Sequence, residues 1–419
     1  MKIRSQNTIF VLLLIFVLGW TTEPFSLFDV GRYSFPLIFF AGLPFCLCIT
    51  YRSLVSLALP IASSLFAVAV GLLQGVEMSH IVSQAVLQGL AIAVAAGVAA
   101  IDWQQFVGKI EAAVVMLGVP IVLYACYQMA ARMEHWPGAF LPVTNQQYYA
   151  EGGLQLGWEK AEITRASSIF SEPSELGFFC LWLLVIGLST QSKKIRILST
   201  ALAATGILVS QSLSAVLAAA VIFLAYCVIQ GMSRHLFRQI FLTAAAFAAI
   251  VLPIKVLAPE AFDHFSERIV QAASFDERAD SGRVDHLPGC LELIEASPVW
   301  GYGLSSMAGA GPDGADVTTV NYVMVWMERG TTGALLFFIP WFALAFRAWS
   351  LPRDAKGRTF AFLLMVMILS AFWFFSVTYF LPFWFAFGVT ASLVLNTHAS
   401  VSRKSEARVS GPSLALPAY

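Results

Sequence analysis

Twelve long apolar runs follow one another along the chain, and that succession constrains the fold more than any other feature. A bilayer's hydrocarbon core is about 30 Å thick and takes roughly 20 apolar residues per helix, with shorter spans tolerated by thinning or snorkelling. On that measure the candidate spans are 8–20, 34–50, 53–73, 81–101, 110–130, 176–188, 195–209, 213–229, 240–257, 321–346, 360–375 and 377–395. Composition agrees: 58% of residues are hydrophobic and 12% charged, against roughly 25% charged in an ordinary soluble domain. A water-soluble globule is excluded. The 25 basic residues balance the 25 acidic ones, so no global basic field exists to hold nucleic acid.

The placement of charge gives the orientation. With the N-terminus inside, Lys2 and Arg4 join Arg52, Lys109, Lys193, Lys194, Arg196, Arg234, Arg238, Arg347, Arg353, Lys356 and Arg358 on the cytoplasmic side. Arg403, Lys404 and Arg408 fall in a cytoplasmic tail, 396–419, and the short outer connections hold just Arg32. The reading is an all-α polytopic membrane protein of about twelve transmembrane helices, residues 1–419 forming a single integral membrane domain with both termini cytoplasmic. The short pair of runs around Val209 and Leu213 also fits one re-entrant hairpin. No small-residue cleavage site follows the first run, so no cleavable signal is expected. Five cysteines lie inside apolar runs and only Cys290 in a polar loop, a pattern that argues against a disulfide framework or a thiolate metal site.

Two outer loops, 131–171 and 258–320, break the pattern of short turns and carry most of the charge the membrane excludes. Structureless loops longer than about 15 residues are usually functional, which puts the chemistry on the non-cytoplasmic face. In the second loop Phe262, Phe265, Ile269 and Ala272 recur at helical spacing, as do Val284, Leu287, Leu291 and Ile294. These are two short amphipathic helices expected on the membrane surface. Gly311-Pro-Asp-Gly314 adds a flexible flap. The bland alternative is a surface hairpin that only caps the bundle.

Four short motifs occur in order. Arg165-Ala-Ser-Ser-Ile-Phe-Ser-Glu172-Pro173-Ser-Glu175-Leu-Gly177 leads into a span, and Ser210-Gln-Ser212-Leu-Ser214 sits between two apolar runs. Ser281-Gly-Arg283 opens a loop helix that ends in Ser297-Pro298-Val-Trp-Gly301-Tyr-Gly303, and Asn321-Tyr322 is followed by Glu328-Arg-Gly330. Taken together, over roughly residues 164–334, they resemble the O-antigen polymerase and ligase superfamily, the bacterial surface-polysaccharide polymerases.

The resemblance implies a GT-C-like architecture and a glycosyltransferase working at the outer face of the bacterial inner membrane. Its substrate would be an oligosaccharide linked to undecaprenyl diphosphate. A polymerase transfers the growing chain onto the next lipid-linked repeat unit; a ligase transfers it to lipid A core. Membrane lipid, a chain-length regulator and a flippase of the same pathway are the implied partners, with no cofactor. Ligases of the superfamily carry a histidine just before the asparagine that corresponds to Asn321. Here that place is Val320, which tilts the reading toward a polymerase of O-antigen, exopolysaccharide or capsule and leaves the general base open.

The residue chemistry suits this class. Breaking a sugar–phosphate bond on a diphosphate carrier calls for donors that stabilise charge on the leaving phosphate, and guanidinium forks supply them without a metal. Arg165 and Arg283 lead, with Arg268, Arg278 and Arg329 also expected outside; Asp280 or Asp285 could instead pair with a solvated arginine. The acceptor hydroxyl needs a base. Glu172, before Pro173 at a helix start, is the first candidate, although a carboxylate there also caps free backbone N–H groups. Glu328, Asp285 and His286 follow. Glu328 lies inside a span, where a carboxylate is expensive unless it faces a polar cavity. Tyr302 and Trp300 are read as sugar-stacking, Asn321 as substrate-binding within its motif, and Gly301 and Gly303 as a tight turn. Trp136, Tyr148, Tyr149 and Trp158 are assigned to the interfacial belt.

Two other classes compete with this reading. A transporter or lipid-linked oligosaccharide flippase would also use twelve helices, but it usually shows ionisable groups in mid-span and internal repeats; here the spans are nearly free of charge, with Lys255 near an outer end and Glu328 the main exceptions. A membrane-anchored assembly subunit would lack the arginine–carboxylate cluster of the outer loops.

Overall fold

The computed structural model describes residues 6–22, 26–30, 33–134, 136–139, 141, 165–170, 172–231, 287–306, 320–355, 357–373 and 380–409. The run 240–257, the Phe262–Ala272 helix, most of the first outer loop, and the site residues Arg278, Arg283, Asp285 and His286 lie outside them.

The first half contains α1 (Gln6–Thr21), β1 (Ser26–Val30), β2 (Tyr33–Pro36), α2 (Leu37–Cys46), α3 (Tyr51–Val55), α4 (Ala58–Leu73), α5 (Met78–Ala99), a 3₁₀ turn (Trp103–Gln105) and α6 (Val107–Met133). Then come α7 (Pro173–Ser189), α8 (Lys193–Ser210), α9 (Leu213–Gln230), α10 (Leu287–Ala296), α11 (Asn321–Trp349), α12 (Arg358–Ala371) and α13 (Leu381–Val409). Each apolar run that lies within the described residues coincides with at least one of these helices. The fold is all-helical as expected, with one short hairpin between α1 and α2. Its strands pair antiparallel, Phe28 opposite Phe35 and Val30 opposite Tyr33, because β-favouring residues alternate there and outweigh the apolar run that begins at Ser34.

Four described helices are long and apolar enough to cross a bilayer, α5, α6, α9 and α11, whereas α1, α2, α4, α7, α12 and the apolar part of α13 are shorter. Their outer faces say what surrounds them. Leu217, Val221, Leu224 and Val228 are exposed along α9, and Leu335, Ile339, Phe342 and Phe346 along α11. Spacings of four, three and four residues place each set on one stripe of its helix. In water such a stripe would drive aggregation; against acyl chains it costs nothing. The protein is a membrane protein.

Inside the bundle, close approach replaces hydrophobic drive. A Cβ at Gly206 would come within 2.2 Å of the Cys180 sulfur, and one at Gly187 within 2.4 Å of the Thr200 hydroxyl, so α7 and α8 pack together through small residues. Aromatic rings fill the centre: Trp20 meets Phe178, Phe179 and Trp182, and Trp341 meets Phe372 and Trp384.

Two groups of helices result. α6, α7, α8 and α9 form one, α4, α5, α10 and α11 the other; α1 and α2 link α6 to α5, α13 packs on α5, α11 and α12, and α12 packs against α7, α9, α11 and α13. The runs around Val209 and Leu213 are separate helices joined at Gln211. α10, expected on the membrane surface, packs on α11 while Leu291 of its apolar face stays exposed. Cys290 and Ile294 of the same helix are buried against Met327 of α11.

Candidate functional site

The turn that leads into α7 is held from three sides. Gln128 Oε1, on α6, accepts the N–H groups of Ser167 (2.9 Å) and Ser168 (2.7 Å), and the Ser168 hydroxyl donates to the Ile121 carbonyl at 2.7 Å. Arg132, one turn further along α6, donates through Nε to Ala139 O (2.9 Å), through Nη1 to Arg165 O, and through Nη2 to Ser167 Oγ (3.4 Å). From the other side the end of α8 receives the same strand of chain. Ala166 N–H donates to Val209 O at 2.9 Å and Arg165 Nε to Ser210 O at 3.4 Å. Ser212 then caps α9, and a Cβ at Gly177 would stand 2.7 Å from Ala215 Cβ. The first two motifs, separate in sequence, are thus one packed unit.

Glu172 occupies the N-cap position of α7 with extended backbone, and Pro173 is the first helical residue. Its carboxylate does not cap the helix. It accepts instead from the Ser174 hydroxyl at 2.7 Å, because a serine in the first turn offers a donor close by that competes with the backbone. The capping alternative is thereby corrected, and the half-buried carboxylate stays chemically available.

The second unit is built on a break in α11. Gly330 has φ 58° and ψ −175°, non-helical values inside a 29-residue helix. That conformation is essentially confined to glycine, and a Cβ would stand 2.2 Å from Val299 O. The segment from Ser297 to Ser305 docks into the break. Thr331 N–H donates to Pro298 O (2.8 Å), Tyr302 N–H to Met327 O (2.9 Å), and Gly303 N–H to Glu328 O (2.7 Å). Leu304 N–H reaches Ala67 O of α4 at 2.9 Å and the Ser305 hydroxyl reaches His80 O of α5 at 3.3 Å. Gly303 permits this approach, since a Cβ there would overlap Gly71 Cα at 2.1 Å.

Two charged side chains are enclosed at this break. Glu328 is 4% exposed; its Oε1 accepts from Ser305 N–H at 3.1 Å, and Oε2 has no hydrogen-bond partner among the described residues. Arg329 is fully buried, with Nη1 on Ser63 Oγ at 2.8 Å and its guanidinium carbon 4.8 Å from the centre of the Phe337 ring. Its Nε and Nη2 have no partner among the described residues. Arg329 stands in the first third of its 29-residue helix, short of the centre where an arginine costs about 3 kcal/mol of insertion, but each unmet buried donor costs roughly 1–3 kcal/mol. Packing alone has no use for such a group.

Of the residues singled out in the sequence, Glu328, Arg329 and Tyr302 are brought together at the break, and Arg165 and Glu172 share the turn before α7. Asn321 is buried at the start of α11, with its N–H on Phe372 O at 3.0 Å, two helical turns from Glu328. Tyr302 contributes its backbone N–H to the break, whereas Trp300 is 60% exposed and stacked on Phe66. Arg329, expected outside where a diphosphate headgroup would be, is enclosed by protein beside the break. Ser63, Gln128, Arg132 and Ser305 escaped the reading. Gln128 and Arg132 sit four residues apart near a span end, a spacing that marks one helix face and could have found them; Ser63 in its apolar run gave little signal. Among the described residues no group of three or more His, Cys, Asp or Glu side chains is gathered to hold a metal.

Comparison with known proteins bears on this geometry directly. No curated protein matches the chain. Residues 198–338 match the family described as O-antigen ligase, about a third of the chain. That stretch contains the second motif, the docked segment and the break at Gly330; the turn around Arg165 falls before it. The resemblance to the O-antigen polymerase and ligase superfamily is therefore shown, carried by residues 198–338.

Proposed function

We propose that the protein is a glycosyltransferase that polymerises undecaprenyl-diphosphate-linked repeat units into a surface polysaccharide at the periplasmic face of the bacterial inner membrane. The observation that carries this is the buried, incompletely satisfied Glu328 and Arg329 at a helix break inside the family-matched stretch. Arginines hold the donor diphosphate, with Arg165, Arg278, Arg283 and Arg329 as the set. The acceptor hydroxyl attacks the anomeric carbon, the new C–O bond forms as the sugar–phosphate bond breaks, and undecaprenyl diphosphate leaves with the bonding electrons. The hydroxyl proton passes to a carboxylate, Glu328 or Glu172, with Asp285 and His286 as the outer alternatives. Tyr302 and Asn321 line the sugar path. No metal is required, because guanidinium groups neutralise the leaving charge. Val320 in the place of the ligase histidine favours a lipid-linked repeat unit over lipid A core as acceptor.

The test is reconstitution of purified protein with a lipid-linked repeat unit, scored as a ladder on a gel, with and without EDTA. A ladder that resists EDTA and disappears in Arg165→Ala and Arg283→Ala is expected. Arg283→Lys keeps the charge, loses the planar fork, and should fail nearly as badly. Transfer only after lipid A core is added would make the protein a ligase. Silence with both acceptors, together with lipid-linked oligosaccharide transport in vesicles, would sink the reading.

A further inference from the structure

Arg329 is held by a residue that neither the motifs nor the family match points to. Ser63 of α4 is fully buried, accepts from Arg329 Nη1 at 2.8 Å, and donates its own proton to Gly333 O at 2.8 Å. Arg329 and Gly333 lie on opposite sides of the break at Gly330, so one hydroxyl pins both halves of α11 to α4. With Nη1 tied down and the ring of Phe337 beneath the guanidinium, rotation of the fork is blocked. The nitrogens left over, Nε and Nη2, are the adjacent pair that grips two oxygens of one phosphate or carboxylate. Beside this group, Phe66 is half-buried and stacked on the exposed Trp300, a pair of rings whose displacement would open the interface between α4 and the docked segment.

We propose that Ser63 is a positioning residue that fixes the Arg329 fork so that Nε and Nη2 receive phosphate oxygens of the lipid carrier's diphosphate. The inference rests on the proposed function for the identity of that anion. Binding of undecaprenyl diphosphate to the full-length protein in nanodiscs tests it through Ser63→Ala, Arg329→Gln and the double variant, with thermal unfolding of each recorded. Ser63→Ala should weaken binding about tenfold and Arg329→Gln about a hundredfold, and the double variant should match Arg329→Gln, since Ser63 acts through the arginine. A purely structural serine would lower the unfolding temperature and give losses that multiply in the double variant; that result, or unchanged binding in Ser63→Ala, overturns the proposal. Should Arg329→Gln fail to accumulate, Arg329→Lys closes the same cycle, because an ammonium cannot present the paired nitrogens. Nanodiscs of phosphatidylglycerol without the carrier distinguish the source of the phosphate: the same cycle read there would overturn the carrier assignment. The polymer ladder is scored separately, so carrier binding with this coupling but no glycosyl transfer would refute the function and leave Ser63 and Arg329 as a diphosphate site.

Discussion

Two buried arginines are treated in opposite ways. Arg132, under the turn before α7, directs Nε, Nη1 and Nη2 onto Ala139, Arg165 and Ser167. Arg329, in the break of α11, uses Nη1 on Ser63 and leaves Nε and Nη2 without a partner among the described residues. Their neighbours repeat the contrast. Gln128 Oε1 accepts two backbone N–H groups, whereas Glu328 has one oxygen engaged and one open. A polar network with its bonds made rigidifies a fold, and one left incomplete is unstable until something completes it. The first region is a completed network and the second an incomplete one, which under the proposed function is where the lipid-linked donor binds.

The sharpest way to break this contrast is Glu328→Gln. The amide still accepts from Ser305 N–H, so unfolding should shift by less than about 1 kcal/mol, while polymer formation falls by about 10²–10⁴ if the carboxylate takes the acceptor proton. A ladder formed at the wild-type rate would remove Glu328 from the chemistry. Next in size is Gly330→Ala. Positive φ and a Cβ 2.2 Å from Val299 O combine to cost about 3 kcal/mol or more, read as the unfolding midpoint in detergent. Gly75 serves as the control, because its φ is 76° but nothing lies within 4 Å of a Cβ there. Gly75→Ala should cost only about 1 kcal/mol, and equal losses at the two sites would mean that the docked segment does not depend on the break.

Much of this contrast was legible in the sequence, but unevenly. Apolar runs located the helices because a spanning helix must be apolar for most of its length. Glu328 stood out for the complementary reason, a carboxylate where the membrane excludes one. The hairpin at Phe28 and Phe35 was hidden because its strands are short and the second runs into the apolar stretch that begins at Ser34. The enclosure of Arg329 was not legible because a count of charges along the chain does not show which side chains the fold covers. Ser63 was missed because a single hydroxyl in a span reads as helix filler, and its role depends on a partner 266 residues away. The joining of the first two motifs around Gln128 and Arg132 is likewise a tertiary fact. The signal available, two polar groups four residues apart, named a face and not the turn it would hold.

Arg132→Gln probes the scaffold side. Losing a buried guanidinium that satisfies three acceptors should lower stability by about 2 kcal/mol, while transfer per folded molecule changes by less than about threefold. Measured together, unfolding and rate should therefore move in the reverse proportion to Glu328→Gln. A larger effect on rate than on stability would mean that the turn around Arg165 belongs to the reacting site and is more than its support.

The smallest expected change in stability comes from Glu172→Ala, and it is informative for that reason. A carboxylate that caps a helix is worth about 0.5–2 kcal/mol. Glu172 holds the cap position of α7 but its oxygen is on the Ser174 hydroxyl and on no backbone N–H. Truncation should therefore shift unfolding by less than about 0.5 kcal/mol, and a larger shift would restore the capping role. With the structural contribution that low, the rate of polymer formation reads chemistry almost alone. If Glu328 is the base, Glu172→Ala leaves the ladder near its wild-type rate. A fall of about a hundredfold or more would move the base to the turn before α7, and the division between a satisfied scaffold and an open site would then have to be redrawn with Glu172 on the open side.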